Sequence, residues 1–425
     1  MKSFYRYLIP SVIASIFMSA YAIVDGMFIG GKLHDTGLSA INLAWPITSF
    51  LQAIGTSIGI SGGIYISKLN ALDDESKSNK ISLTTILIIL FFSIILGFVL
   101  FVLSKNILIL FGAKGTTLEY ANDYLRIIII GATFQMLGSG LIPLLKNKKR
   151  VKMAMAASLT SIFVNFILDY IFIYIFSWDL KGAALASVIA QITSFFVCII
   201  PFAKKFGGIT RDISDYKNIF LGALAPFVLN YSYAVIIIIT NSLCLKYGND
   251  EAVAAYTLLS YLLYVVCATS QGVADAIQPL FSYHYTKKEY RTCHKMLYKC
   301  FIISFLLILV FVIIFYLLRH QLEKLYGLSI NASGYYEFGL YFYMIGFLLV
   351  SFFKVYCSYF YSIDNKKIAN FLTILEPVVV TPLIYLIVCP FLKLNGIWIS
   401  FLIIQALMLI ISICFYIAVL KKEKN

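Results

Sequence analysis

Residues 81–104 form a run of 24 positions with no charged side chain, closed by Lys80 on one side and Lys105 on the other. Residues 300–318 and 394–420 repeat the pattern. At 1.5 Å per residue, runs of this length cross a hydrocarbon layer of roughly 30 Å. Lipid offers backbone N–H and C=O groups no partner, so each run must satisfy them internally and is read as a helix. A membrane β-barrel would show short alternating segments instead. Extended along the chain, the pattern predicts twelve spans, at 8–30, 38–67, 81–104, 119–146, 153–177, 182–203, 217–246, 252–283, 296–318, 335–361, 368–391 and 395–420. The expected class is an all-α integral membrane protein.

Composition agrees. The chain is 61% apolar and 13% charged, against roughly 45–50% and 25% for a soluble domain. The stretch before the first polar turn is longer than a signal-peptide core and lacks a small-x-small cleavage site. Basic residues set the expected topology. With the termini inside, 24 of the 34 Lys and Arg flank the inner ends of spans, 8 lie in outer loops, and Arg126 and Lys354 fall within spans. The bias places both termini in the cytoplasm. It also explains the +14 net charge as attraction to an anionic leaflet rather than to nucleic acid. Eight scattered cysteines and four dispersed histidines have no metal-ligand spacing, so neither a disulfide framework nor a metal or other cofactor is expected.

The chain also resembles itself at a shift of about 215 residues. Asp35 aligns with Asp250, Leu110-Phe111-Gly112 with Leu325-Tyr326-Gly327, and Arg150-Val151-Lys152-Met153-Ala154 with Asn365-Lys366-Lys367-Ile368-Ala369. At a shift of 214, the segment beginning Leu180-Lys181-Gly182 aligns with that beginning Leu394-Asn395-Gly396. Six spans per half put both halves into the membrane in the same sense. The expectation is two six-helix lobes, 1–203 and 217–425 joined by a cytoplasmic linker at 204–216, related by a pseudo-two-fold axis along the membrane normal. Two bundles around a central cleft suit a transporter.

Acids inside spans are costly and mark function by default. Asp25, Asp169, Asp275 and Glu376 lie there, and their repeat counterparts are neutral. Asn165 precedes Asp169 by one turn on the same helical face, and Tyr21 stands likewise before Asp25. Carboxylate, carboxamide and hydroxyl oxygens suit Na⁺, and partly desolvated carboxylates can instead carry a proton. The plainer reading is that these groups only bond neighbouring helices. Gln271, Asp275 and Gln278 share a polar face beside Pro279 and, with Gln52, are candidates to line the cleft. Glu376, before Pro377, either reaches water or acts at depth, and neither Arg126 nor Lys354 receives a role.

Several motifs resemble the multidrug and toxic compound extrusion (MATE) transporters of bacteria, over essentially the whole chain. They are Val24-Asp25-Gly26-Met27-Phe28-Ile29-Gly30, Ala40-Ile41-Asn42-Leu43-Ala44-Trp45-Pro46, Asn165 to Asp169, Lys181-Gly182-Ala183-Ala184-Leu185-Ala186-Ser187, and Gln271 to Pro279. The resemblance implies a cation–drug antiporter in which Asp25, Asn165 and Asp169 form the coupling site. Ser187 then stands where some members place a threonine ligand. The expected activity is export of small, cationic, amphipathic compounds in exchange for H⁺ or Na⁺, by a monomer in the inner membrane.

Two other functions share parts of this pattern. A flippase of lipid-linked sugars would share the two-lobe plan but favours a cationic cleft, whereas the ions at depth are mostly acidic. An intramembrane enzyme needs a nucleophile–base pair or metal constellation, and neither is found. No Walker-type phosphate loop is present, so ATP is not the direct energy source.

Overall fold

The computed structural model describes the backbone of residues 2–148, 150–203, 208–363 and 365–424, with side chains at most of these positions. Among them there is no strand. The helices are α1 (Lys2–Ala71), α2 (Glu75–Leu110), α3 (Gly115–Ile130), α4 (Ala132–Asn147), α5 (Val151–Asp169), α6 (Asp179–Ala203), α7 (Ile213–Thr286), α8 (Tyr290–Leu317), α9 (Arg319–Leu325), α10 (Ile330–Ser362), α11 (Lys366–Leu375) and α12 (Thr381–Lys424). Two π-helical turns, Tyr170–Ile175 and Glu376–Val380, follow α5 and α11.

Eight of the described helices are long and apolar enough to cross a membrane, and α3 with α4, bent by 62° at Gly131, makes a ninth crossing. Three of the long helices are broken within. α1 breaks at His34, α7 at Asn249 and α12 at Lys393, each with positive φ. α1 and α7 therefore carry two of the expected spans each, and α11, the π-helical turn and α12 together carry two more, which reconciles nine rods with twelve crossings.

The repeat reappears in the backbone. Positive φ occurs at His34, Asp73, Gly112 and Asp179 in the first half and at Asn249, Lys288, Gly327 and Lys393 in the second. These pair at shifts of 215, 215, 215 and 214. Conformations that L-residues avoid do not recur at one spacing by chance, so duplicated turns join duplicated helices.

By contact the chain divides into two compact units, Met1–Ser39 with Ile239–Asn425, and Ala40–Ile238. These are not the sequence halves: the unit boundaries fall inside α1 and α7. In the first unit α10 packs on α8, α11 and α12. Its core holds the buried rings of Tyr343, Phe347 and Trp398, and Tyr343 stacks on Phe401 at 4.0 Å between centroids. In the second unit α6 packs on α3, α4 and α5, and α4 on α2. The second arm of α1 meets α4 almost backbone to backbone: a Cβ at Gly59 would collide with Gly140, and one at Gly140 with Gly55. Small residues permit such contact where lipid supplies no hydrophobic driving force between helices. Several buried hydroxyls bond carbonyls of their own helices, as in Ser82 to the Ser78 carbonyl at 2.7 Å and Ser270 to the Val266 carbonyl at 2.8 Å, which lets them sit at depth. Phe91, Ile94, Phe98 and Val102 on α2, and Leu306, Val310 and Ile313 on α8, point outward, as a lipid-facing surface requires.

Candidate functional site

The last turn of α5 carries Asn165 and Asp169, each only 1% exposed. Asp169 ends the α-helix, and the next six residues form a π-helical turn. There the Phe176 N–H reaches the Ile171 carbonyl at 2.9 Å, five residues back instead of four. A widened turn of this kind re-aims side chains and is common at functional sites. It is held from outside by rings: Trp178 stacks on Phe172 and leans on Phe176, both at 5.1 Å. Gly182, in the first turn of α6, lies so close to Phe172 that any side chain there would press on its backbone.

α6 brings Ser187 to this turn. The Asn165 amide donates to Ser187 Oγ at 3.5 Å, a long bond. Asn165 Oδ1 is buried and has no hydrogen-bond partner among the described residues. A buried carbonyl oxygen without a donor is costly unless something fills the role. Asn165 and Asp169, one turn apart, and Ser187 beside Asn165 thus put three oxygen-bearing side chains in the second unit at the head of a helix break. That chemistry fits a small hard cation, or a proton on Asp169.

Asp25 lies in the first unit and is half-buried. Its helix reaches close packing through Gly26, where a side chain would strike Tyr261 and Tyr326, and Gly30, where it would strike the Tyr326 backbone. Asp25 and Tyr326 interact electrostatically. In the repeat Asp25 corresponds to Thr240, which is buried and hydrogen-bonded to the Tyr385 hydroxyl at 3.0 Å. Tyr385 in turn corresponds to Tyr170, the neighbour of Asp169.

Of the cleft candidates, Gln52 and Gln271 are exposed, and the Gln52 backbone carbonyl accepts from Ser139 Oγ at 3.4 Å. The side chains of Tyr21, Asp275 and Gln278 lie outside the described residues. Glu376 opens the second π-helical turn and accepts a 2.7 Å hydrogen bond from Gln405. Lys354 shares these surroundings, with Glu376, Cys267 and Cys357 as its electrostatic neighbours. Pro377, which has no N–H to give, accounts for the break there, and nothing in the sequence joined Glu376 to Gln405. Arg126 rests over the Phe101 ring at 5.6 Å. A further polar knot escaped the sequence altogether. Asp215, wholly buried, accepts from Tyr65 at 2.5 Å and Thr210 at 2.6 Å, with Lys77 Nζ at 3.3 Å.

Comparison with known proteins adds to this geometry. The Multidrug export protein MepA of Staphylococcus saprophyticus is 26% identical over 427 residues, covering 99% of this chain and 92% of its own. A structure described as the inward-facing conformation of a multidrug resistance MATE family transporter of the MOP superfamily superposes with a TM-score of 0.87 at 20% identity, covering 97% of this chain and 98% of that one. The MATE multidrug transporter DinF-BH in complex with R6G superposes at 0.74 with 24% identity, covering 97% and 94%. These likenesses show the fold: an all-α membrane protein of the two-lobe, twelve-helix kind. The MatE family model matches twice, over residues 10–171 and 226–386, which is the internal repeat again. The chain therefore belongs to the MatE family, a family of membrane transporters rather than enzymes.

Proposed function

We propose that the protein is a secondary antiporter of a bacterial inner membrane, exporting small cationic, amphipathic compounds in exchange for H⁺ or Na⁺. The observation that carries the reading is the buried pair of Asn165 and Asp169, with Ser187 beside Asn165, at the head of a π-helical turn. A carboxylate at membrane depth must be neutralised, by a proton or a cation, and a helix break beside it lets neutralisation change helix packing. Asp25 acts with Asp169 as the second carboxylate. Its repeat counterpart Thr240 is neutral and hydrogen-bonds Tyr385, so the acid at this position is peculiar to the first half. Neither carboxylate stays ionised cheaply at depth without a cation. Binding one supplies the differential free energy that links ion entry to drug exit.

The name borne by the staphylococcal relatives, multidrug export protein, supports export of drug-like compounds, and the acidic character of the ions at depth supports a cationic cargo. The basic bias of the loops supports cytoplasmic termini. No cofactor is required by this scheme, and a monomer suffices. The test is transport of a fluorescent organic cation by the purified protein in liposomes, with a pH gradient and a Na⁺ gradient imposed separately. Uptake against its gradient under one of them is expected; transport under neither would overturn the antiporter reading.

A further inference from the structure

We propose that His320, Glu323 and Glu337 form a binding site for a divalent transition-metal ion, with Zn²⁺ the best fit. His320 and Glu323 are three residues apart on α9, hence on one face, and Glu337 comes from the second turn of α10. His320 Nδ1 stands 3.2 Å from Glu337 Oε1 and 3.8 Å from Glu323 Oε2, and the three donor atoms all lie within 4.8 Å of one another. Zinc bonds of about 2.1 Å in tetrahedral geometry separate donor atoms by roughly 3.4 Å, so small side-chain adjustments close the set around an ion. One imidazole with two carboxylates suits Zn²⁺ better than Mg²⁺ or Ca²⁺, which prefer oxygen alone.

The plainer reading is a surface histidinium between two acids. Two observations point past it. Glu323 is only 13% exposed, and its Oε1 is buried with no hydrogen-bond partner among the described residues. Tyr336, wholly buried, faces Glu323 and Glu337 with a hydroxyl that likewise has no hydrogen-bond partner. Arg319, the nearby cation, does not serve them by any ion pair within bonding distance. Its guanidinium donates to the Tyr316 carbonyl at 2.8 Å and lies over the Tyr316 ring at 4.4 Å. Two carboxylates, one of them largely buried and also in hydrogen-bonding reach of the Ser333 side chain, converge on a single imidazole, and a dication balances the charge where a proton does not.

The site also has a structural setting. α9 leads through the Gly327 turn to Ser329, which caps α10. Asp35 accepts the Ser329 N–H at 3.0 Å, and His34 Nδ1 contacts the Gly327 carbonyl at 3.0 Å. An ion bridging α9 and α10 would fix the segment that Asp35 and His34 hold.

The test is titration of the chelator-stripped, detergent-purified protein with Zn²⁺ against a fluorescent zinc indicator, followed by X-ray absorption at the zinc edge. Parental protein should bind one Zn²⁺, with Mg²⁺ failing to compete. His320→Ala, at an exposed position, and Glu337→Gln, at a partly exposed one, should each weaken binding at least about tenfold. The absorption spectrum should show nitrogen and oxygen neighbours only. Absence of binding, unchanged affinity in either variant, or a sulfur shell from one of the eight cysteines would each overturn the proposal.

Discussion

His34 and Asn249, 215 residues apart, break their helices with the same backbone geometry: φ 53°, ψ −149° at one and φ 54°, ψ −156° at the other. Neither is glycine, although this region is one that glycine alone occupies easily. His34 is compensated, since its ring nitrogen meets the Gly327 carbonyl at 3.0 Å. Asn249 shows no such bond among those described, while its neighbour Asp250 accepts from Ser39 at 2.9 Å. Asn249→Gly should therefore relieve strain and leave the Asp250 contact intact. A gain of about 1 kcal/mol is expected, the strain relief less the added freedom of the unfolded chain. Thermal unfolding in detergent should show a higher midpoint, and Asn249→Val a lower one. A lower midpoint for the glycine variant would mean that the break is not strained.

Asp215 collects Tyr65, Thr210 and Lys77 inside the second unit, joining α1, α2 and the start of α7. Its carboxylate is wholly buried, so its partners hold a charge that could not otherwise remain there. Asp215→Ala strands the two hydroxyls and should destabilise the protein by about 3 kcal/mol. Tyr65→Phe removes one charge-assisted hydrogen bond and should lose about 1.5 kcal/mol. The two changes share a partner, so the double variant should lose less than their sum. Additive losses in a thermal or denaturant assay would count against a connected network.

The spans were legible because a bilayer demands about twenty apolar residues in a row, a signal few other structures imitate. The turns between paired spans were legible as polar interruptions at 31–37 and 247–251. Nothing in them told that helix would continue through with a single residue at positive φ. Gly131, which has Gly346 at the same shift of 215, is the site of a 62° bend that only the structure shows. The π-helical turn after Asp169 left no trace, since Tyr170–Ile175 is ordinary apolar sequence whose geometry depends on the rings of Phe172, Phe176 and Trp178. Asn165 and Asp169 could be named because one turn separates them. Ser187 needed a family resemblance, being a helix away. Gln405 with Glu376, and Glu337 with His320, escaped notice because each pair joins separate helices.

Glu376 binds Gln405 at 2.7 Å where the second π-helical turn begins, with Lys354 among its neighbours. If Glu376 serves mainly to balance Lys354, then Glu376→Gln should lower the unfolding midpoint, and adding Lys354→Met should restore most of it, because the lysine is then no longer left without its counter-charge. Transport should survive in the double variant. A double variant as unstable as the single, or one that folds but does not transport, would instead give Glu376 a part in coupling.

The coupling site gives the most exposed prediction. Asp25 and Asp169 have neutral counterparts in the second half, Thr240 and Ile384, and Thr240 there makes a plain hydrogen bond to Tyr385. The same fold thus stands without acids at these positions, so their removal should not unfold the protein. Asp25→Asn and Asp169→Asn should each insert, fold and retain drug affinity, because the amide mimics the neutralised acid. Each should nonetheless abolish gradient-driven efflux, since no charge remains for an ion to relieve. Asn165→Ala and Ser187→Ala remove one oxygen or hydroxyl each. A lost ligand of about 1.4 kcal/mol lowers apparent cation affinity roughly tenfold, which raised Na⁺, or lowered external pH if H⁺ is the coupling ion, should overcome. Efflux from proteoliposomes over a range of ion gradients separates the two classes: a flat line at zero for the Asp variants, a shifted curve for the others. Parental efflux in both Asp→Asn variants would place the coupling elsewhere.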